Sequence, residues 1–145
     1  MAHKVYLKLR MRSILLGLLV LCVVSFGGWF GSLKEGVEKA KEQKKPLVIY
    51  FYSKYCSYCR HFEEFTLSKD EVQNTLEKFV VVSLDISSEE GSQWARKLGV
   101  PGVPTMVVYD PVKDQRLGVL FGSRSGDDVV GFIKGICKKQ SLKTC

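Results

Sequence analysis

Residues 47–67 read LVIYFYSKYCSYCRHFEEFTL, and this stretch decides the fold. It opens with Leu47–Tyr52, a continuous apolar and aromatic run that is typical of a strand covered on both faces. Residues 57–67 can form a helix. Cys56 and Cys59 lie where the predicted strand gives way to this helix. The sequence therefore predicts a buried strand, a cysteine pair and a helix in close succession.

The chain after residue 30 alternates between helix and strand patterns. Ser32 and Glu35 have the spacing of a capping box, which predicts a helix that ends before Pro46. The further predicted elements are a helix to residue 78 capped by Asp70 or Ser68, a strand at 79–84, a helix at 88–98 stopped by Gly99, a hairpin of strands 105–109 and 117–121, and a last helix capped by Ser125. This order predicts an α/β fold.

Length, composition and charge limit the classes of function. A chain of 145 residues accommodates one domain, and its 46% apolar content is enough for a folded core. The net charge is +7, but the first 30 residues hold four basic residues and no acidic one. The remaining 18 basic and 15 acidic residues are interspersed and leave a net charge of only +3. This pattern gives no reason to expect nucleic acid as a partner.

The N-terminal segment has the features of an export signal. Four basic residues precede eighteen uncharged ones, SILLGLLVLCVVSFGGWF, at positions 13–30. Small residues at Ser25 and Gly27 fit a signal peptide cleaved after Gly27, and the length also suffices for an uncleaved anchor. We expect residues 1–30 to be a signal peptide or N-terminal membrane anchor. Residues 31–145 would then form a domain in the periplasm or on the extracytoplasmic face.

The cysteine pair has the spacing and position of a thiol exchange site. Cys56 is predicted at the start of a helix, where unpaired amides and the helix dipole stabilise a thiolate, so it is the predicted nucleophile. Cys59, one turn further on, can attack a mixed disulfide at Cys56 and release the partner. Lys54, Arg60 and His61 flank the pair with positive charge that favours the thiolate. Such exchange requires neither an organic cofactor nor a metal.

A metal site is the alternative use of the same residues. Cys56, Cys59 and His61 are possible zinc or copper ligands, which would make the protein a metal-binding chaperone rather than an enzyme. A structural zinc site takes a fourth ligand, and no second CxxC or His pair supplies it. Attachment of c-type haem requires His directly after the second cysteine, where this chain has Arg60.

Four features of the chain resemble the thioredoxin-like superfamily, and within it the C-terminal domain of bacterial thiol:disulfide interchange proteins. Together they span roughly residues 33–137. They are the strand-CxxC-helix unit, the segment FEEFTLS at 62–68 with Asp70 and Val72, the segments LGV at 98–100 and GVPT at 102–105 before a strand, and the closing hairpin with Gly122 and a final helix. The combination of CxxC with a distant Val-Pro-Thr is far more specific than CxxC alone.

The resemblance implies a thioredoxin fold with a central mixed sheet flanked by helices. It also implies a cis bond before Pro104, which would leave backbone free to pair with an extended substrate segment. The implied substrate-binding residues are Tyr58, Val103, Pro104 and Thr105. The implied activity is exchange with protein thiols and disulfides, as a reductant served by a membrane or periplasmic redox partner.

Glu63 matches a carboxylate that, in the family, lies under the cysteine pair and assists proton transfer. The alternative is a plain surface residue of the helix. The family places a second acid on the preceding strand, where this chain has Tyr50. Deprotonation of Cys59 could thus depend on Glu63, on the Tyr50 hydroxyl through water, or on neither.

Two further cysteines lie at the end of the chain. Cys137 is near the end of the last predicted helix and Cys145 is the final residue. They are either two separate thiols or, in an oxidising compartment, a structural disulfide that pins the tail onto the helix.

Overall fold

The apolar run Leu47–Tyr52 forms β1, an inner strand of a four-stranded sheet. The computed structural model describes residues 29–145. The other strands are β2 (Val80–Asp85), β3 (Thr105–Asp110) and β4 (Gln115–Phe121), in the order β2-β1-β3-β4. β1 is parallel to β2 and antiparallel to β3, and β4 is antiparallel to β3. The predicted mixed sheet is confirmed.

Helices cover both faces of this sheet. They are α1 (Leu33–Gln43), α2 (Ser57–Phe62), which runs into a π-helix (Glu63–Leu67), α3 (Asp70–Leu76), α4 (Glu89–Lys97) and α5 (Gly126–Gln140). One core lies between the sheet and α1 and α4, and the other lies between the sheet and α2, α3 and α5. The α/β architecture with flanking helices is therefore confirmed.

β1 is apolar throughout because both of its faces are covered. Val48 and Tyr50 point into the core beneath α2, α3 and α5, whereas Leu47, Ile49 and Phe51 point into the core beneath α1 and α4. All five side chains are at most 2% exposed. Alternate residues of a strand point to opposite faces, so a strand between two helical layers has no solvent face.

One predicted capping box does not form, and one predicted helix start is wrong. Ser32 occupies the N-cap position of α1, but its side chain makes no capping hydrogen bond. The first amide of that helix, at Leu33, donates instead to a carboxylate oxygen of Glu90 at 3.0 Å. α3 is preceded by Lys69 as N-cap, not by Ser68 or Asp70, and it ends at Leu76. The hydroxyl of Ser68 donates to the Glu64 carbonyl.

The helix predicted over residues 57–67 changes its winding at Glu63. The π-helix of Glu63–Leu67 places two consecutive side chains, Thr66 and Leu67, in buried positions. The Thr66 hydroxyl donates to the Arg124 carbonyl at 2.7 Å, so the widened turn connects this segment to the loop before α5. The last helix begins as predicted, since Ser125 and Asp128 form a reciprocal capping box.

Trp29 and Phe30 contact the folded domain although the sequence analysis assigns them to the leader. The amide of Phe30 donates to the Val81 carbonyl at 2.8 Å, and its carbonyl accepts from the Ser83 amide at 2.9 Å. The Trp29 ring meets the Tyr50 ring edge-on at 6.1 Å. The candidate leader itself, residues 1–28, lies outside the described residues. Within residues 29–145, every helix is too short or too polar to cross a bilayer.

A disulfide between Cys137 and Cys145 fastens the C-terminal tail, with the two Cα atoms 5.9 Å apart. Non-covalent contacts follow the same path. The Leu142 amide donates to the Cys137 carbonyl at 3.0 Å, and the Thr144 hydroxyl donates to the Lys78 carbonyl at 2.5 Å. Leu142 also packs against the core beneath α5. The bond thus closes a short loop over the end of α3.

We predict that Cys145→Ser lowers the free energy of unfolding by about 2.5 kcal/mol, the loop-closure value for a bridge across roughly eight residues. Cys145 is exposed, so the substitution breaks the bond while the buried Cys137 keeps its packing. Urea denaturation measures the change. Thr144→Val, which removes only the hydrogen bond to Lys78, is the control and loses about 1 kcal/mol. Equal stabilities of Cys145→Ser and the parent protein would contradict a stabilising bridge.

Candidate active site

Cys56 and Cys59 are disulfide-bonded at the start of α2, with their Cα atoms 5.2 Å apart. Cys56 is the N-cap of the helix, and its Sγ accepts a hydrogen bond from the Cys59 amide at 3.0 Å. The two sulfur positions differ in access, because Cys56 is half-buried and Cys59 is 1% exposed. A thiolate at Cys56 would be within reach of another protein and stabilised by the helix amide. Cys59 is reachable only from within the domain.

The loop from β1 to α2 is held by short-range hydrogen bonds. The Cys56 amide donates to the Ser53 carbonyl at 3.2 Å, and the Cys56 carbonyl accepts from the Arg60 amide at the same distance. The Arg60 guanidinium donates to the Lys54 carbonyl at 3.3 Å. Lys54, Arg60 and His61 are all exposed.

The segment before β3 lies at the same end of the sheet as the cysteines, beyond the last residue of β1. Thr105, the first residue of β3, is paired with Phe51 near the end of β1, and Cys56 follows a few residues later. The Val103–Pro104 peptide bond is cis. The Pro104 carbonyl accepts from the Gly122 amide at 2.9 Å, and the Thr105 hydroxyl donates to the Gly102 carbonyl at 2.6 Å.

The backbone amide and carbonyl of Val103 have no hydrogen-bond partner in the described part of the chain, residues 29–145. The residue itself is half-buried. A backbone segment with available donor and acceptor groups can pair with an extended peptide.

Glu63 contacts the buried strand through its carboxylate. The Tyr50 hydroxyl donates to Glu63 Oε1 at 2.9 Å, and the Glu63 amide donates back to the Cys59 carbonyl. Burial, followed by the hydrogen bond to Glu63, raises the pKa of Tyr50 above its ordinary value. Tyr50 and Glu63 are therefore a hydrogen-bonded pair, which the sequence analysis did not predict.

Exposed aromatic side chains surround this edge and were partly missed from the sequence. Tyr55 is 89% exposed, Tyr58 is 72% exposed and Phe121 is 46% exposed. Only Tyr58 was among the predicted site residues. Phe121 ends β4 opposite Thr105, and its ring lies within 3.2 Å of the position that a Cβ on Gly102 would take. Exposed aromatic residues are typical of protein interfaces. Tyr55 could have been found from its position next to Cys56.

His61 is placed beside another aromatic ring. Its imidazole lies 4.7 Å from the Phe65 ring, centroid to centroid, one turn along the helix. Within the described part of the chain, residues 29–145, no three His, Cys, Asp or Glu side chains are grouped so that they could hold a metal ion.

Sequence comparisons point to one family. A family profile described as thioredoxin-like matches residues 28–111. The thiol:disulfide interchange protein DsbD of Cronobacter sakazakii is 32% identical over 73 residues, covering 49% of this chain and 13% of that protein. DsbD of Vibrio cholerae is 29% identical over 91 residues, covering 59% of this chain and 15% of that protein. The chain therefore spans a small part of the length of these curated relatives.

Solved structures share the fold. A thioredoxin from Thermus thermophilus is similar with a TM-score of 0.70 and 33% identity, covering 77% of this chain and 87% of that one. The oxidised C-terminal domain of Neisseria meningitidis DsbD is similar with a TM-score of 0.63 and 22% identity, covering 74% of this chain and 98% of that one. The first likeness extends to sequence, whereas the second is one of fold.

Proposed function

The chain belongs to the thioredoxin-like family of thiol:disulfide oxidoreductases, and we propose that it works outside the cytoplasm as a reductant of disulfides in partner proteins. The observation that carries the proposal is the unequal access of the two sulfurs at the start of α2. Cys56 is open to a partner, and Cys59 is buried one turn behind it. Such a pair can form a mixed disulfide with another protein and then resolve it internally.

In the proposed reaction the reduced Cys56 thiolate attacks one sulfur of the partner's disulfide. A bond forms between Cys56 and that sulfur, and the partner's other sulfur leaves as a thiolate. Cys59 then attacks Cys56 Sγ, and the first partner sulfur leaves. The partner has gained two electrons, and Cys56 and Cys59 are again a disulfide. A dithiol of a membrane or periplasmic redox protein would reduce this disulfide by the reverse sequence.

Glu63 is the proposed proton acceptor for Cys59. The thiol must lose its proton before it attacks, and burial in the protein interior disfavours a bare thiolate. Glu63 is one helical turn from Cys59, to whose carbonyl its amide donates. Residues four apart on a helix have neighbouring side chains. A carboxylate at this place supports general base catalysis of the resolving step.

The proposed substrate surface consists of Tyr58, Val103, Pro104 and Thr105. The unpaired backbone of Val103 supports strand addition by an extended segment of the partner. Thr105 is buried and fixes the turn through its bond to Gly102, so its role would be to hold Val103 in place. The exposed rings of Tyr55, Tyr58 and Phe121 add apolar contact area around the cysteines.

The location outside the cytoplasm is supported by two features of the chain. Residues 1–30 have the composition of a signal peptide or N-terminal anchor. Cys137 and Cys145 form a second disulfide away from the active pair, and disulfides of this kind persist in oxidising compartments. The relative DsbD is named a thiol:disulfide interchange protein. This similarity supports a redox protein of the same kind as the partner of this chain.

The test is a trap in living cells. We expect the full chain with Cys59→Ser to accumulate mixed disulfides at Cys56, because the resolving thiol is missing. Non-reducing electrophoresis followed by mass spectrometry identifies the bound proteins. The double variant Cys56→Ser/Cys59→Ser is the control and should bind none covalently. Finding no mixed disulfides with Cys59→Ser at normal expression would contradict the proposed exchange.

A further inference from the structure

The hydroxyl of Tyr50 is a buried polar group that forms a hydrogen bond with an exposed carboxylate, that of Glu63. Tyr50 is 2% exposed, and its ring packs against Phe62 of α2 at 6.0 Å and against Tyr52 at 5.8 Å, centroid to centroid. Within residues 29–145 its hydroxyl has one hydrogen-bond partner, Glu63 Oε1, 2.9 Å away. Glu63 is exposed, so water would satisfy the carboxylate without the tyrosine. The bond therefore fixes an acid that would otherwise be mobile.

The same acid follows the buried member of the cysteine pair by one helical turn. Cys59 is 1% exposed, so its thiol is shielded from water. The Glu63 amide donates to the Cys59 carbonyl, which places the two residues one turn apart on the same side of the helix. Tyr50 lies beneath this turn, since its ring contacts Phe62. Glu63 is thus bonded to the strand through its carboxylate and to Cys59 through its backbone amide.

We propose that Tyr50 is a positioning residue, whose hydroxyl holds Glu63 Oε1 so that Oε2 is turned to receive the proton of the Cys59 thiol. This inference rests on the proposed function, because it concerns the step in which Cys59 resolves a mixed disulfide. A carboxylate has room for several acceptor contacts, so one oxygen can be anchored while the other reacts.

In the resolving step Cys59 replaces the partner's sulfur at Cys56 Sγ. The Cys59 S–H bond breaks and its proton goes to Glu63 Oε2. The sulfur's electron pair forms the bond to Cys56 Sγ, and the bond from Cys56 Sγ to the partner's sulfur breaks. The partner leaves as a thiolate with that electron pair, and the two cysteines of the protein are oxidised to a disulfide.

The groups that face Tyr50 favour its role as a permanent donor. Glu63 faces the hydroxyl from the π-helix, and Tyr52 stacks on the ring from the same strand. Trp29 and Phe62, its other ring contacts, carry no charge. The pKa of Tyr50 is raised first by burial and then by Glu63. The hydroxyl therefore keeps its proton over the whole pH range of the experiment below.

The test uses the full chain carrying Cys22→Ser, Cys137→Ser and Cys145→Ser, so that Cys56 and Cys59 are its only thiols. The reduced protein is mixed with 5,5′-dithiobis(2-nitrobenzoate) and followed by rapid-mixing absorbance. Attack by Cys56 releases one nitrothiobenzoate in a phase that depends on reagent concentration. Attack by Cys59 releases the second in a phase that does not, and the loss of this phase in Cys59→Ser identifies it. We expect Tyr50→Phe to slow the second phase about tenfold near pH 6, and Glu63→Gln to slow it about a hundredfold. As the pH rises and hydroxide takes over the deprotonation of Cys59, both variants should approach the parent rate.

The matched control is Tyr109→Phe. Tyr109 is another buried tyrosine whose hydroxyl donates to an exposed carboxylate, that of Asp114. It lies opposite Leu47, at the end of the sheet remote from the cysteines. Removing its hydroxyl should cost a similar amount of thermal stability and leave the second phase unchanged at every pH. A merely structural role of Tyr50 would make its variant behave in the same way.

Two outcomes would overturn the inference. Tyr50→Phe with a parental rate profile, while Glu63→Gln is slow at low pH, would mean that Glu63 acts without being positioned by Tyr50. Parental profiles of both variants would remove the pair from the reaction. In either case, a second phase that disappears in Cys59→Ser leaves the proposed exchange function standing. A second phase that persists in Cys59→Ser would refute the function itself.

Discussion

Cys56→Ser is expected to abolish the protein-dependent reduction of insulin disulfides by dithiothreitol, a fall of about a thousandfold or more in the catalysed rate. A serine hydroxyl does not form the mixed disulfide on which every later step depends. Cys59 cannot replace the missing nucleophile, because it is 1% exposed and a partner's disulfide cannot approach it. Insulin precipitation monitored by light scattering measures the rate after subtraction of the reaction with dithiothreitol alone.

The control for this loss is Cys145→Ser, which removes an exposed cysteine of the tail disulfide. It should retain the parental rate at a temperature where both variants are folded. Alkylation adds a second readout, since iodoacetamide should modify Cys56 of the briefly reduced protein well before Cys59. A Cys56→Ser variant that keeps a tenth of the parental rate, or faster labelling of Cys59, would show that the assigned order of the two thiols is wrong.

Local pattern was sufficient to predict the parts of the fold that depend on neighbours in sequence. β1 is apolar along its whole length, and Ser125 with Asp128 forms a capping box whose two partners are three residues apart. The N-cap position of Cys56 follows from the end of one element and the start of the next. Each of these features is dictated by a few adjacent residues, so it can be predicted without knowledge of the tertiary structure.

Contacts between distant segments account for what the sequence did not predict. Serine commonly caps helices, and Ser32 precedes α1, yet the first amide of α1 donates to Glu90, 57 residues from Leu33. The hydroxyl of Thr66, in the π-helix, donates to the Arg124 carbonyl 58 residues away. A propensity argument sees only the local alternatives and cannot weigh a partner that the fold supplies.

The candidate site also combines a local motif with contacts between distant segments. Cys56 and Cys59 form a local motif, whereas the hydrogen bond between Tyr50 and Glu63 joins a strand to the helix packed on it. From the sequence, Tyr50 departs from the family's acid and offers a hydroxyl that could act on Cys59 through water, but its bond to Glu63 is not predicted. The contact of Phe121 with Gly102 is also tertiary, because it needs β4 to be aligned against β3. Chemistry carried by one motif is visible in sequence, and the groups that tune it are visible only once the elements are packed.

Gly91→Ala is expected to lower the free energy of unfolding by about 3 kcal/mol, the upper end of the cost of overpacking. Gly91 is the third residue of α4, and a Cβ there would lie 2.0 Å from the Asp85 carbonyl oxygen and 2.9 Å from Ser88 Oγ. The obstacle is backbone at the end of β2, held by the Ser88 amide and hydroxyl at 3.0 and 2.6 Å. It cannot rotate away as a side chain would, so the helix itself must shift. Urea denaturation at equilibrium measures the loss.

Gly131→Ala provides the matched comparison, because Gly131 also lies within a helix but a Cβ there meets nothing within 4 Å. Alanine favours the helix over glycine, so this variant should gain about 0.5 to 1 kcal/mol. The opposite signs separate close packing from helix propensity, which acts in the same direction at both positions. Should Gly91→Ala be as stable as Gly131→Ala, the contact between α4 and the end of β2 would have to be looser than described.

The first turn of α4 also holds Glu90 against the Leu33 amide, so a shift at Gly91 should in addition loosen the start of α1. Faster hydrogen exchange at the Leu33 and Gly36 amides in Gly91→Ala, but not in Gly131→Ala, is the expected sign of that coupling.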